Sequence, residues 1–161
     1  MRGVLQPVLD EYGVGFLPVH GFNSSTSVYN AAQSDLFKVV IYVGDYDPSG
    51  VFMSSEDLPK RLKKYGGNKV HVFRFALTPD QVLGLPSFPA SDKKKDPRYP
   101  WFVKNYGNRC WELDAMDPND LRDVVERGIK GMIEPDAWER CRKAQEAEQE
   151  SLQTVLDSWA R

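Results

Sequence analysis

The sequence predicts an α/β protein with a mainly parallel central sheet, flanked by helices and followed by one long C-terminal helix. Three observations carry that expectation. The stretch Lys38–Val43, KVVIYV, is β-branched and aromatic with apolar residues on both faces, as a strand in the middle of a parallel sheet requires. Strand-like runs alternate with helical ones along the chain. The last 25 or so residues contain no helix breaker at all.

Taken in order, Val4, Leu5, Val8 and Leu9 recur at helical spacing and Gly13 stops them, which predicts a short amphipathic helix over about Gly3–Tyr12, with Pro7 blurring its start. Phe16–Val19 reads as a strand. A turn at Gly21 leads to a helix capped by Asn23 or Ser24 that carries Val28, Tyr29 and Ala32. The strand Lys38–Val43 ends at Gly44. After the acidic loop, Ser54 with Asp57 resembles a capping box, and Leu58, Leu62 and Tyr65 continue a helix to Gly66 and Gly67. Val70–Phe75 is a strand, and Thr78 with Pro79 opens a short helix. LPSFPASDKKKDPRYP, residues 85–100, is a long surface loop of the kind that commonly carries function. A helix near Trp101–Tyr106, a strand Arg109–Leu113 and a helix from Asp117 or Pro118 complete the alternation.

From Pro135 to Trp159 a continuous helix would reach roughly 35–40 Å at 1.5 Å per residue. Trp138, Cys141, Leu152, Val155, Leu156 and Trp159 share one stripe of it, while QEAEQE in the middle is polar all round. The end of this helix is expected to fold back onto its own domain, the competing reading being a short coiled coil with a second copy or a partner protein. The expected organisation is one α/β domain over residues 1–133 and this helix over 134–161.

Composition narrows the function classes. The 161 residues are 41% hydrophobic and 27% charged, values of a globular protein, and the longest apolar run, VVIYV, is far too short to span a membrane. No signal-peptide pattern opens the chain, so a cytoplasmic location is expected. Cys110 and Cys141 stand apart without CxxC spacing and are read as reduced thiols. A net charge of -2 argues against nucleic-acid binding by bulk charge, because such binding rests on neutralising many phosphates. Local clusters must act instead: Lys60, Arg61, Lys63 and Lys64, then Lys93, Lys94, Lys95 and Arg98, set against an acidic stretch from Glu134 to Glu150.

The candidate chemistry lies where β-strand Lys38–Val43 ends, since ligands of an open parallel sheet collect beyond the carboxyl ends of its strands. Asp45 and Asp47 follow at i and i+2, and in extended backbone such residues project to one side. Two carboxylates about 4 Å apart repel by roughly 4 kcal/mol at an effective dielectric of about 20. A divalent cation reverses the sign, and oxygen-only ligands suit magnesium or manganese. The plainer reading of Asp45, Asp47, Pro48, Ser49 and Gly50 is a turn and a helix cap. Glu112 and Asp114 form a second i, i+2 pair that would complete the site if their strand neighbours the first; the plainer reading has Asp114 or Asp117 capping the next helix. Lys93, Lys94, Lys95 and Arg98 are candidate phosphate contacts, with Tyr99 and Trp101 placed to stack on a base. His20 ends the first expected strand and is read as structural.

VVIYVGDYDPSG resembles the Asp-x-Asp strand of TOPRIM domains, in the DxDPxG form of the topoisomerase VI A subunit and related meiotic transesterases. ALTPDQV, the lysine-rich loop ending KDPR, and WELDAM resemble a bacterial and phage group of the same proteins. The resemblance implies a Rossmann-like TOPRIM fold, Asp45 and Asp47 as ligands of Mg2+ or Mn2+, and phosphodiester cleavage or strand transfer on DNA. It also implies a glutamate acid/base on a strand ahead of the helix RGVLQPVLDEYG and an attacking tyrosine on a separate helical domain. The sequence given begins at that helix, so both are expected to be missing; Glu11 lies on the wrong element to replace the glutamate, and Tyr46 should point away from the aspartates. A metal-binding, DNA-directed module that is catalytically incomplete is therefore expected. The alternatives are a non-catalytic nucleic-acid-binding or regulatory module that needs a partner, and a receiver-like domain with a phosphoryl-accepting aspartate, a lysine near the sheet end and Thr78 as switch residue.

Overall fold

The structure is a computed structural model that describes residues 2–18, 25–33 and 38–159. It is a mixed α/β protein in two compact units, residues 1–125 and 126–161.

In the first unit, α1 (Arg2–Glu11) buries Leu5, Val8 and Leu9, one face at i, i+3 and i+4. Its end is a Schellman motif: Gly13 takes φ 62°, and the Val14 amide reaches back to the Leu9 carbonyl at 2.8 Å. Pro7 lies inside the helix on its exposed side. Phe16–Pro18 does not form the expected strand. Pro18 has no amide to give a ladder, and Leu17 stays 47% exposed, so nothing rewards extension there. Val19, His20, Gly21 and the expected caps Asn23 and Ser24 fall outside the described residues. Helix α2 (Ser25–Ala32) follows, burying Val28 and Ala32.

Strand β1 (Lys38–Val43) forms where its apolar pattern places it and pairs in parallel with β2 (Val70–Ala76). The register runs from Lys38 opposite Val70 to Tyr42 opposite Arg74, then slips so that Val43 faces Ala76. Between them the chain makes one nearly continuous helical run: α3 (Pro48–Phe52), a wider π-helical turn Met53–Asp57, and α4 (Leu58–Lys64). The expected capping box at Ser54 is not used. Asp47 followed by Pro48 is the stronger start signal, an N-cap acceptor with proline at the first helical position, so the helix begins earlier. Pro59 explains the wide turn, because its ring and missing amide displace the carbonyl four residues back. Gly66 at φ 91° ends α4, with Gly67 donating to Leu62 at 2.9 Å. Met53, Leu58 and Leu62 from this run pack with Val28 and Ala32 beneath Tyr42, Val70 and Val72.

The helix expected from Thr78 is a single turn. Its amide is held by the Gln81 side chain at 3.0 Å, and Gly84 at φ 85° stops propagation before a nucleus forms. The long loop contains β3 (Phe88–Pro89) and a 3-10 turn Ala90–Lys93, then α5 (Tyr99–Tyr106). β3 pairs antiparallel with β4 (Arg109–Cys110), and Trp111 adds an antiparallel bridge to Tyr46. The expected strand thus stops short of Leu113, whose amide donates to the Asp45 carboxylate at 2.8 Å instead of entering a ladder. Among the described residues the parallel sheet has two strands. Helix α6 (Pro118–Lys130), capped by Asp117 through the Asn119 amide at 2.8 Å, buries Leu121 and Val125.

The second unit holds the end of α6 and α7 (Pro135–Trp159), the uninterrupted helix expected. Glu134 receives the Asp136 and Ala137 amides at 3.1 and 2.6 Å, and Arg142 pairs with Glu139 and Glu146 along the surface. No described residue of α7 is buried, and Leu152 and Trp159 are 65% and 80% exposed. No helix among the described residues is long and apolar enough to cross a membrane.

Candidate metal centre

The acidic loop sits where β1 leaves the sheet, and each aspartate has one oxygen committed to holding the loop. Asp45 Oδ1 accepts from the Leu113 amide at 2.8 Å. Asp47 Oδ1 accepts from Gly50 at 2.7 Å, capping α3, and Asp47 is buried to 5% exposure. Tyr46 between them is also buried. It turns to an aromatic cluster, edge-on to Phe102, Tyr106 and Trp111 at centroid distances of 6.0, 6.1 and 5.8 Å, so it points away from any chemistry of the pair.

Gly50 closes the loop. A Cβ there would run into the Asp45 carbonyl oxygen and come within 3.3 Å of Asp47 Oδ1, so the backbone approaches as closely as it does because position 50 has no side chain.

Arg74 organises this turn from the neighbouring strand, a role the sequence reading missed. Its guanidinium donates to four main-chain carbonyls: Leu77 at 2.6 Å, Gly50 at 2.9 Å, Gly44 at 2.8 Å, and Asp45. A fifth donation goes to Ser54 Oγ at 3.0 Å. Tyr42 and Tyr46 present their rings to it at 5.3 and 5.8 Å. Burial lowers the Arg74 pKa, with Tyr42, Tyr46 and both aspartates pulling the other way. Burial raises that of Tyr42, Arg74 opposes, and Asp45 and Asp47 add to the rise. The Tyr42 hydroxyl is thus kept as a phenol beside the pair.

Across the loop Lys93 reaches Asp47 Oδ2 at 3.3 Å. Partial burial lowers its pKa, but Asp47 raises it by charge and hydrogen bond, with Asp45 and Glu112 adding, and the net shift is upward. Of the expected phosphate contacts, Lys93 is thus turned to an aspartate. Arg98 is clamped by both oxygens of Asp96, each at 2.6 Å, while Lys94 and Lys95 are exposed. Trp101 packs edge-on against Phe52 at 5.2 Å, within the aromatic cluster, and Tyr99 is half-buried at the start of α5.

Glu112 and Asp114 are both exposed, and Asp114 borders cavities lined by Leu113 and Met116 on one side and Pro86 and Phe88 on the other. Glu112 lies near enough to Lys93 to act on its charge. Among the described residues no three His, Cys, Asp or Glu side chains gather around one point, so this second pair does not join the first in a closed cage. Cys110, fully buried under the loop, has its thiol pushed up to about 11 by burial and then by Asp47.

The donor set still fits one kind of metal. Magnesium keeps several waters and is commonly bound through one or two carboxylates, and Asp45 Oδ2 and Asp47 Oδ2 are the oxygens left for it. A cation, the Lys93 ammonium, already rests on one of them. Comparison of the chain with family models, curated proteins and solved structures returns no match in any of the three.

Proposed function

We propose that the first unit is a TOPRIM-type module, resembling that of the topoisomerase VI A subunit, which binds Mg2+ or Mn2+ through Asp45 and Asp47 and binds or acts on DNA. The supporting observation is the construction of the loop: two carboxylates at the carboxyl end of β1, each fixed by one oxygen, the second oxygen of Asp47 meeting the Lys93 ammonium, on a backbone gathered by Arg74. A bound divalent ion would supply Lewis-acid polarisation of a phosphodiester. The protein's own part is to orient the carboxylates, keep Tyr42 neutral beside them, and offer Lys94 and Lys95 from the loop across the site.

A second reading, a non-catalytic DNA-binding or regulatory module that works beside a partner, is favoured by the absence of a third gathered carboxylate among the described residues. The exposed Leu152, Val155, Leu156 and Trp159 of α7 would suit contact with such a partner or a second copy.

Asp45→Asn and Asp47→Asn test the proposal cleanly, because an amide oxygen keeps the bonds to Leu113 and Gly50 while the charge goes. Calorimetry should show magnesium binding by the wild type and at least about a tenfold loss in the double variant. Unchanged heats would exclude the site. Magnesium-dependent nicking of plasmid DNA, abolished in the same variant, separates the enzymatic version from the binding version.

A further inference from the structure

Lys93 reaches a carboxylate of the Asp pair as an ion pair from outside the loop, and its setting is that of a movable group on a fixed base. Ala90, three residues earlier, is fully buried, with its amide bonded to the Asn108 carbonyl at 2.8 Å. The backbone at the foot of Lys93 is therefore anchored against β4. The lysine side chain itself is 39% exposed, and its 3.3 Å reach to Asp47 is longer than the 2.7–2.9 Å typical of a charge-assisted N–H···O bond. The ring of Phe88 lies 5.6 Å from the ammonium, a second resting place on the same side.

We propose that Lys93 is a resident counter-ion of the Asp45–Asp47 half-site, that a divalent metal displaces it, and that the released ammonium then serves as a contact to a DNA phosphate. This rests on the metal-binding reading above. The electrostatics follow from charge alone. With Lys93 parked and no metal, the two aspartates and the lysine together carry one negative charge and repel a phosphate. With a divalent ion on the carboxylates and Lys93 swung out, the same groups carry one positive charge, and Lys94 and Lys95 stand beside it. Metal and DNA thereby assist each other's binding through one side chain, and the assistance is reciprocal.

The experiment titrates MgCl2 into the wild type, Lys93→Met and Lys93→Arg, and separately titrates a random-sequence DNA duplex with and without magnesium. Lys93→Met removes the competing charge and keeps the stem. Its magnesium affinity should rise about two- to fivefold, the range for a partly exposed ion pair, while Lys93→Arg stays near wild type. In magnesium-free duplex binding, Asp47→Asn should tighten the wild type by a similar factor, since it both removes a charge and releases Lys93, and should tighten Lys93→Met less, since there it removes the charge alone. Lys93→Met should also lower the salt dependence of duplex binding in magnesium by about one phosphate contact. Equal or weaker magnesium affinity in Lys93→Met overturns the counter-ion role and leaves the metal site standing. No magnesium binding by any of the proteins overturns both.

Discussion

Arg74 donates from Nη1 to the carbonyl oxygen of Gly50 at 2.9 Å, tying the second strand to the turn that follows the acidic pair. The same guanidinium holds Gly44 and Asp45, so a single side chain spans the loop from its entry at the end of β1 to the first turn of α3. One planar fork gathers these carbonyls, two of which, Gly44 and Gly50, also accept main-chain amides, and the single ammonium of a lysine cannot repeat that task.

Arg74→Lys should therefore destabilise the protein even though the charge is kept. Losing most of these charge-assisted bonds at a half-buried site should cost about 2–4 kcal/mol, with Arg74→Gln at the upper end. Urea denaturation measures it. Magnesium affinity should fall in parallel in both variants, since the carboxylates lose their support. A variant as stable as wild type would mean that the loop holds itself.

The strand and the acidic loop were legible in the sequence for different reasons. KVVIYV declares itself because every residue after Lys38 is β-branched or aromatic, and the order of side chains alone marks it as strand. The loop was read as a metal site or as a cap, and the geometry makes these compatible: Asp47 caps α3 through Oδ1 and keeps Oδ2 for a cation. Pro48 after Asp47 carries the signal for a helix start earlier than Ser54. Arg74 was not legible. Its partners are mostly main-chain carbonyls, which have no residue identity, although alternation in VHVFRFA sets it on the same face as the core-packed Val70 and Val72. An arginine flanked by two phenylalanines was the available hint. The Lys93 pairing was hidden because it depends on how residues 85–100 fold back against β4.

Gly50→Ala gives a direct measure of the close approach in the loop. Its Cβ meets the Asp45 carbonyl, backbone that cannot step aside, so a loss of about 2–4 kcal/mol is expected along with weakened magnesium binding. Gly3→Ala is the matched control: nothing lies within 4 Å of a Cβ there, and removing a glycine from α1 should add about 0.5–1 kcal/mol.

The two cysteines should react very differently. Cys141 is exposed on α7, whereas Cys110 is fully buried and its pKa lies at about 11, so at pH 8 only about one thiol in a thousand is a thiolate. Ellman's reagent should titrate one thiol per folded chain and two in denaturant. Fast labelling of both under native conditions would contradict the packing beneath the loop.

Acid should loosen the lysine loop before it unfolds the domain. Burial pushes Asp96 up, but the hydrogen bonds and charge of Arg98, joined by Lys93, outweigh it and hold the carboxyl below its ordinary value of 3.8. A carboxylate with a lowered folded pKa stabilises the folded state fully above its unfolded value and loses that contribution as pH falls through the folded one. The clamp on Arg98 should therefore hold at neutral pH and down to about pH 4, and fail below it. Asp96→Asn should reproduce the acid state at neutral pH by removing the charge. Arg98 then faces an amide, residues 90–98 keep only main-chain bonds to α5 such as Tyr99 N–H to the Asp96 carbonyl at 3.0 Å, and amide hydrogen exchange in this segment should speed up about tenfold, while exchange in β1 and β2 stays slow. Release of Arg98 also adds a cation to the face that holds Lys94 and Lys95, so the same variant should bind a DNA duplex more tightly at low salt. Unchanged exchange with tighter DNA binding would place Asp96 in charge balance alone, and unchanged values of both would remove the clamp from any part in the loop.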